Sequence, residues 1–136
     1  MKRAQMSIGL FIGILLFSTS LTAEYVPFKV NLSMLERFIV LSLLPEKASF
    51  SDWKVINDLK DQLAPNEQER VAIEAKQNPN GSINAKWDAV PEKEIVFGEY
   101  TEKLIVEALK NLDAKGNLNI NQLSLYRKFV LREIKE

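Results

Sequence analysis

The sequence predicts an α+β fold, mostly helical, in which about four to five helices pack with a small antiparallel sheet of two or three strands. Two observations carry that expectation. Apolar residues recur at helical spacing in four separated stretches, and only near the middle of the chain does the period shorten to two, on either side of Asn78-Pro79-Asn80-Gly81. No internal repeat, low-complexity run or long linker interrupts the pattern. A single small domain over 24–136 is therefore expected, preceded by a separate segment over 1–23.

The first helix is expected over Asn31 to Leu44, after an extended lead from Glu24 to Lys29. Leu32, Leu35, Ile39 and Leu43 form a stripe, and Phe38, Val40, Leu41 and Leu44 make the segment apolar nearly all round, so it should be central. Glu36, Arg37, Glu46 and Lys47 bracket the apolar run from Phe38 to Leu44, which is too short to span a membrane. Pro45 ends it, because the residue before a proline avoids helical geometry. A second helix begins at Ser49-x-x-Asp52, the form of a capping box, and carries Trp53, Ile56, Leu59 and Leu63 on one face. Pro65 suits a first helical position, and Asn66 to Arg70 then suggest a brief helical turn or short helix.

From Val71 to Lys76 the alternation reads as a strand, with continuation of the preceding helix as the competing reading. Asn78 to Gly81 is turn chemistry, since Pro79 fixes its own φ and Gly81 tolerates a positive one. Ile83, Ala85 and Trp87 would form the buried face of the hairpin, and Glu94 to Phe97 would join it as a third strand. The helix expected over Glu99 to Lys115 presents Thr101, Leu104, Ile105, Ala108, Leu109 and Leu112, and Gly116 should cap it. The last helix is expected over Ile120 to Ile134, with Asn119 and Gln122 as its capping pair, Leu118 and Leu123 as a hydrophobic staple, and Leu123, Tyr126, Phe129, Val130 and Ile134 as its face.

Residues 1–23 are different in kind. Lys2 and Arg3 precede a stretch without charge from Ala4 to Ala23, whose centre from Ile8 to Phe17 is strongly apolar. A basic start, an apolar core of about ten residues and a small-residue tail have the form of a secretory signal peptide. Cleavage after Ser20 and cleavage after Ala23 are both open. An uncleaved segment would instead anchor the chain in a membrane, where Gly9 and Gly13 would suit close helix packing. Either way the remainder is expected to be exported, periplasmic or secreted; a mistaken start would leave it cytoplasmic.

The 136 residues include 18 Lys plus Arg, 18 Asp plus Glu, no His and no Cys. These absences exclude Ser-His-Asp and Cys-His catalysis, thiolate zinc sites and disulfides. Because both charges of the leader are basic, the rest of the chain is slightly acidic. That argues against a nucleic-acid partner, although Arg127, Lys128, Arg132 and Lys135 cluster with Tyr126 and Phe129; a solvated helix face is the expectation there.

The loop from Asp113 to Ser124 can be laid on a calcium-binding EF-hand loop, with Asp113 and Asn117 in place. It has Lys115 where a ligand belongs, Leu118 at the turn glycine and Ser124 at the bidentate glutamate, so no metal is expected. No pair of carboxylates stands out, and the sequence has no glycine-rich phosphate loop. Trp53 and Trp87 read as core. No catalytic, cofactor-binding or metal-ligating residue is assigned, and no cofactor is expected.

The order of features from Leu35 onward includes Leu43-Leu44-Pro45, Phe50 ahead of a helix, Trp87, and Lys93-Glu94-Ile95. With the terminal run Leu123-Ser-Leu-Tyr-Arg-Lys-Phe129, it resembles small uncharacterised proteins of phage and prophage genomes. That resemblance implies no assigned activity and carries over no functional residue; members of that group generally lack an export signal. The expected function is that of a non-catalytic interaction or structural module with a protein partner. The alternatives are an intracellular accessory protein of mobile-element origin and, more weakly, a carboxylate-dependent enzyme.

Overall fold

The computed structural model describes residues 24–133. The expectations for residues 1–23, and for Ile134 and Lys135, lie outside the described residues. Five helices and two small antiparallel sheets make up the rest, a mostly helical α+β architecture.

Strand β1 (Phe28–Leu32) pairs antiparallel with β4 (Lys93–Phe97), Phe28 opposite Phe97 and Leu32 opposite Lys93. Val30, Leu32, Ile95 and Phe97 are buried on one face while Lys29, Asn31, Glu94 and Val96 stay exposed, the alternation that a pleated strand requires. This pairing corrects two expectations. Asn31 and Leu32 belong to a strand rather than to the first helix, and Glu94 to Phe97 pairs with this strand rather than with the central hairpin. Phe28, Phe97 and Phe129 close the core beneath the sheet, Phe129 meeting each of the other two rings edge to face at 5.3 and 5.0 Å.

Helix α1 (Met34–Leu43) starts behind Ser33, whose hydroxyl accepts from Glu36 N–H while the Glu36 carboxylate accepts from Ser33 N–H. It packs against β1, three other helices and the 3-10 turn at Trp87–Ala89, and so is central as expected. Its buried face is not the expected one: Met34, Glu36, Arg37 and Val40 are buried, whereas Leu35, Ile39 and Leu43 are half-buried. Helix α2 (Phe50–Leu63) buries Ile56, Leu59 and Leu63 and is capped by Ser49, which accepts from Asp52 N–H without the reciprocal bond of a full box. Trp53 is half-buried, with the Lys60 ammonium 5.0 Å from its ring centre.

Helix α3 (Glu67–Ile73) opens on a complete capping box between Asn66 and Glu69 and continues through Val71 to Ile73. The competing helical reading therefore holds as far as Ile73, because Ile73 completes the helix's inward face and is buried. Glu74, in the left-handed region at φ 47°, then turns the chain. The hairpin is reduced to β2 (Lys76–Gln77) and β3 (Ile83–Asn84), joined by the expected turn, where Gly81 N–H donates to Asn78 O at 3.0 Å with Gly81 at φ +87°. Ile83 is exposed because this hairpin lies outside the core, and Trp87 sits in the 3-10 turn, half-buried against Phe38 at 5.2 Å.

Helix α4 (Glu99–Ala114) buries Thr101, Ile105 and Leu109 from the expected face and ends at Gly116, φ +69°, where Asn117 N–H donates to Leu112 O. Helix α5 (Ile120–Phe129) has the expected Asn119–Gln122 box but stops at Phe129. Its buried residues are Leu125 and Phe129; Leu123, Tyr126 and Val130 are half-buried. Phe129 lies on the expected face, whereas Leu125, four residues before it and so one turn away on the same side, lies outside that face yet is buried with it.

Arg37 is the largest fully buried side chain among the described residues. Its Nε donates to Leu63 O at 3.0 Å and its Nη2 to Ala64 O at 2.9 Å, both at the carbonyl end of α2, where backbone acceptors lack intrahelical partners. The same guanidinium holds Glu69 bidentately, Nη1 to Oε2 at 2.7 Å and Nη2 to Oε1 at 3.1 Å. One cation thus satisfies the end of α2, whose dipole favours it, and the acid in the first turn of α3, which the dipole of that helix favours. Replacing Arg37 by Met should lower unfolding free energy by about 3 kcal/mol or more, because two carbonyls lose their donors and a buried pair is broken. Urea unfolding measures this, and a loss within the range of an ordinary surface change would show that the guanidinium does not hold the corner.

Candidate functional site

A cleft with a volume of about 620 Å³ lies between β1 and α5. Val30 and Asn31 form one side, Ser124, Arg127 and Lys128 the other, with Glu92 and Glu133 at the ends. Helix α5 positions the basic residues: Phe129 anchors its core face under the sheet, which turns the preceding Lys128 toward the strand edge.

Lys128 spends all three of its N–H donors there. Nζ donates to Asn31 O at 2.8 Å, to Glu36 Oε1 at 2.8 Å and to Glu92 Oε2 at 3.1 Å. The outward orientation of Asn31 O is consistent with Val96 N–H, on the opposite outer edge of this two-stranded sheet, donating to Gln62 Oε1 instead of to β1. Burial by itself lowers the Lys128 pKa, but Glu36 and Glu92 more than reverse this and hold the ammonium above its ordinary range. Burial likewise pushes the Glu36 carboxyl up, while Lys128, the Ser33 N–H and the Ser124 hydroxyl bring it below the ordinary carboxylate value. Glu36 is 6% exposed, and its second oxygen, Oε2, is buried without a well-formed hydrogen bond.

The remaining charges are also engaged. Arg127 lies 3.9 Å from Glu133, and Arg132 pairs with Glu102 while its guanidinium sits 4.1 Å from the centre of the Phe28 ring. Among the described residues of the basic cluster, Lys128 and Arg132 make tertiary ion pairs, whereas Arg127 stays exposed on the helix surface; Lys135 lies outside the described residues. In this arrangement the protonated Lys128 has no lone pair with which to attack a carbonyl or take a proton.

The loop that was compared with a calcium site is occupied by structural work: Tyr126 O–H donates to Asp113 Oδ2 at 3.2 Å, Asn119 caps α5, and Ser124 faces the cleft. Among the described residues no group of three or more Asp or Glu side chains is placed to hold a metal ion. No helix of the described residues is long and apolar enough to cross a membrane. Sequence reasoning missed the Glu36–Lys128–Glu92 cluster altogether, since its members are far apart in the chain; the available signal was Ser33-x-x-Glu36, which places Glu36 at a helix start beside the strand. Comparison with family models, with curated proteins and with solved structures finds no match.

The pKa directions fix a pH dependence. Glu36 and Glu69 titrate below the ordinary value of 4.5 in the folded chain, Glu69 through its hydrogen bonds to Arg37 above all. Their stabilising contribution is complete above that value and is lost as pH falls through the depressed folded pKa values. Replacing Lys128 by Met removes the chief group holding Glu36 down, so burial dominates and its pKa rises. That variant should be about 2 kcal/mol less stable at neutral pH, with the deficit narrowing on acidification as Glu36 takes up a proton. Denaturant unfolding across pH measures the gap, and a deficit that stays constant with pH would show that Lys128 does not govern Glu36.

Proposed function

We propose that the chain is a small exported protein that binds another protein and performs no chemistry of its own. The observation that carries this reading is the consumption of the cleft's charges by one another. Lys128, the most enclosed cation there, has every donor taken by Asn31, Glu36 and Glu92, which leaves a rigid polar wall rather than a poised acid, base or nucleophile. Export is supported by Lys2, Arg3 and the uncharged run from Ala4 to Ala23.

A contact face for the partner is proposed on α3. Val71 is 70% exposed and borders a recess of about 260 Å³ lined by Phe38, Pro65, Ile73 and Ala75, with Glu67 and Arg70 at the rim. An apolar centre with a polar rim is the arrangement of a small protein–protein contact.

Two measurements test this. N-terminal sequencing of the protein from its native host should give a start at Leu21 or Glu24 in an extracytoplasmic fraction, whereas full-length cytosolic protein would favour the intracellular accessory reading. A photo-crosslinker placed at Val71 should trap a protein partner, and Val71→Asp should abolish capture by a crosslinker at Arg70 while changing stability by no more than about 0.5 kcal/mol. Unchanged capture would remove this face from consideration.

A further inference from the structure

The tip of the central hairpin carries an arrangement that neither the core nor the cleft explains. Asn80 is the only asparagine of the chain followed by glycine. Its side-chain oxygen, Oδ1, accepts two hydrogen bonds from the same residue, Ser82 N–H at 3.0 Å and Ser82 Oγ–H at 2.6 Å. Ser82 Oγ in turn accepts from Asn78 Nδ2–H at 2.9 Å, so the hydroxyl is oriented from behind while it donates forward. Asn80, Gly81 and Ser82 are all exposed, and nothing lies within 4 Å of where a side chain on Gly81 would stand.

We propose that Asn80–Gly81 is a self-modification site, at which the backbone nitrogen of Gly81 displaces the amide of Asn80 and Ser82 accelerates the displacement. The Gly81 nitrogen loses its proton and forms a bond to Asn80 Cγ. Electron density moves onto Oδ1, and the Cγ–Nδ2 bond then breaks as ammonia leaves with the proton. The product is a five-membered succinimide. Water opens it at either carbonyl, giving aspartate when the Cγ–N bond breaks and isoaspartate when the original peptide C–N bond breaks. The net change is water in and ammonia out, and no oxidant or cofactor is required.

Each feature of the tip has a part in this. Glycine is the one residue whose nitrogen approaches Cγ without a neighbouring Cβ in the way. Oδ1 is the atom that becomes anionic in the tetrahedral intermediate, and two donors already aimed at it stabilise that charge as it develops. The opposing element is the Gly81 N–H bond to Asn78 O at 3.0 Å, which must open before attack. At an exposed hairpin tip such local opening is cheap. The product adds one negative charge, and isoaspartate also adds a backbone methylene, which disrupts the Asn78 N–H to Ser82 O bond at 2.7 Å that closes the hairpin.

The test is incubation of the whole folded protein in mildly alkaline buffer, followed by charge-resolved chromatography and peptide mapping for aspartate and isoaspartate. An acidic species mapping to Asn80 should accumulate, absent in Asn80→Gln. Ser82→Ala should slow it several-fold in the folded protein, yet match the parent in concentrated urea, where the tip geometry is lost. Absence of acid at Asn80 in the folded chain would overturn the proposal, as would equal folded-state rates for the parent and Ser82→Ala.

Discussion

The buried guanidinium of Arg37 is the constraint to which the helical part of the fold answers. It projects from the N-terminal part of α1 into the corner between α2 and α3, where Leu63 O, Ala64 O and the Glu69 carboxylate converge on it. A buried cation without partners is strongly unfavourable, so the three acceptors must arrive together for α1 to pack at all. Pro65 and the Asn66–Glu69 capping box make this possible: the chain leaves α2 and immediately starts α3 with Glu69 already oriented, its Oε1 accepting from Asn66 N–H at 3.0 Å. Local capping chemistry and the tertiary ion pair therefore use the same carboxylate, so that the corner is specified twice.

A second charged lock, on the neighbouring residue in the first turns of α1, repeats the logic with lower burial. Glu36 caps its own helix through Ser33 and also receives Lys128 from α5, which ties the helix start to the edge of β1 through Asn31 O. Covering an edge carbonyl with an ammonium also blunts a strand that would otherwise invite pairing with another chain. The two locks fix α1 at adjacent positions, 36 and 37, against elements far away in sequence. Between them the apolar core, from Val30 and Leu32 to Leu125 and Phe129, supplies the driving force without having to specify orientation alone.

The legible parts of the fold were those whose determinants are local. Asn119 with Gln122, Gly116, Ser49 and the Asn78–Gly81 turn each announce a boundary within four residues, and the structure keeps each of them. What escaped was decided by partners remote in sequence. Phe28, Val30 and Leu32 do alternate, but the strand they form depends on Ile95 and Phe97, and the apolar run that follows drew Asn31 and Leu32 into a helix that begins only after Ser33. Arg37 reads in the sequence only as a charge at the edge of an apolar run; its burial follows from Leu63, Ala64 and Glu69, which are remote in the chain. Lys128 was misread for the same reason, its glutamate partners lying on α1 and ahead of β4.

The central claim is that Arg37 and Glu69 act as one unit joining α1 to the α2–α3 corner. A double-mutant cycle on Arg37→Met and Glu69→Gln, read by urea unfolding, measures that directly. The account predicts a coupling energy of about 2 kcal/mol, because either substitution alone already dismantles the pair. Additive losses would contradict it and would mean that the two side chains are neighbours without depending on one another.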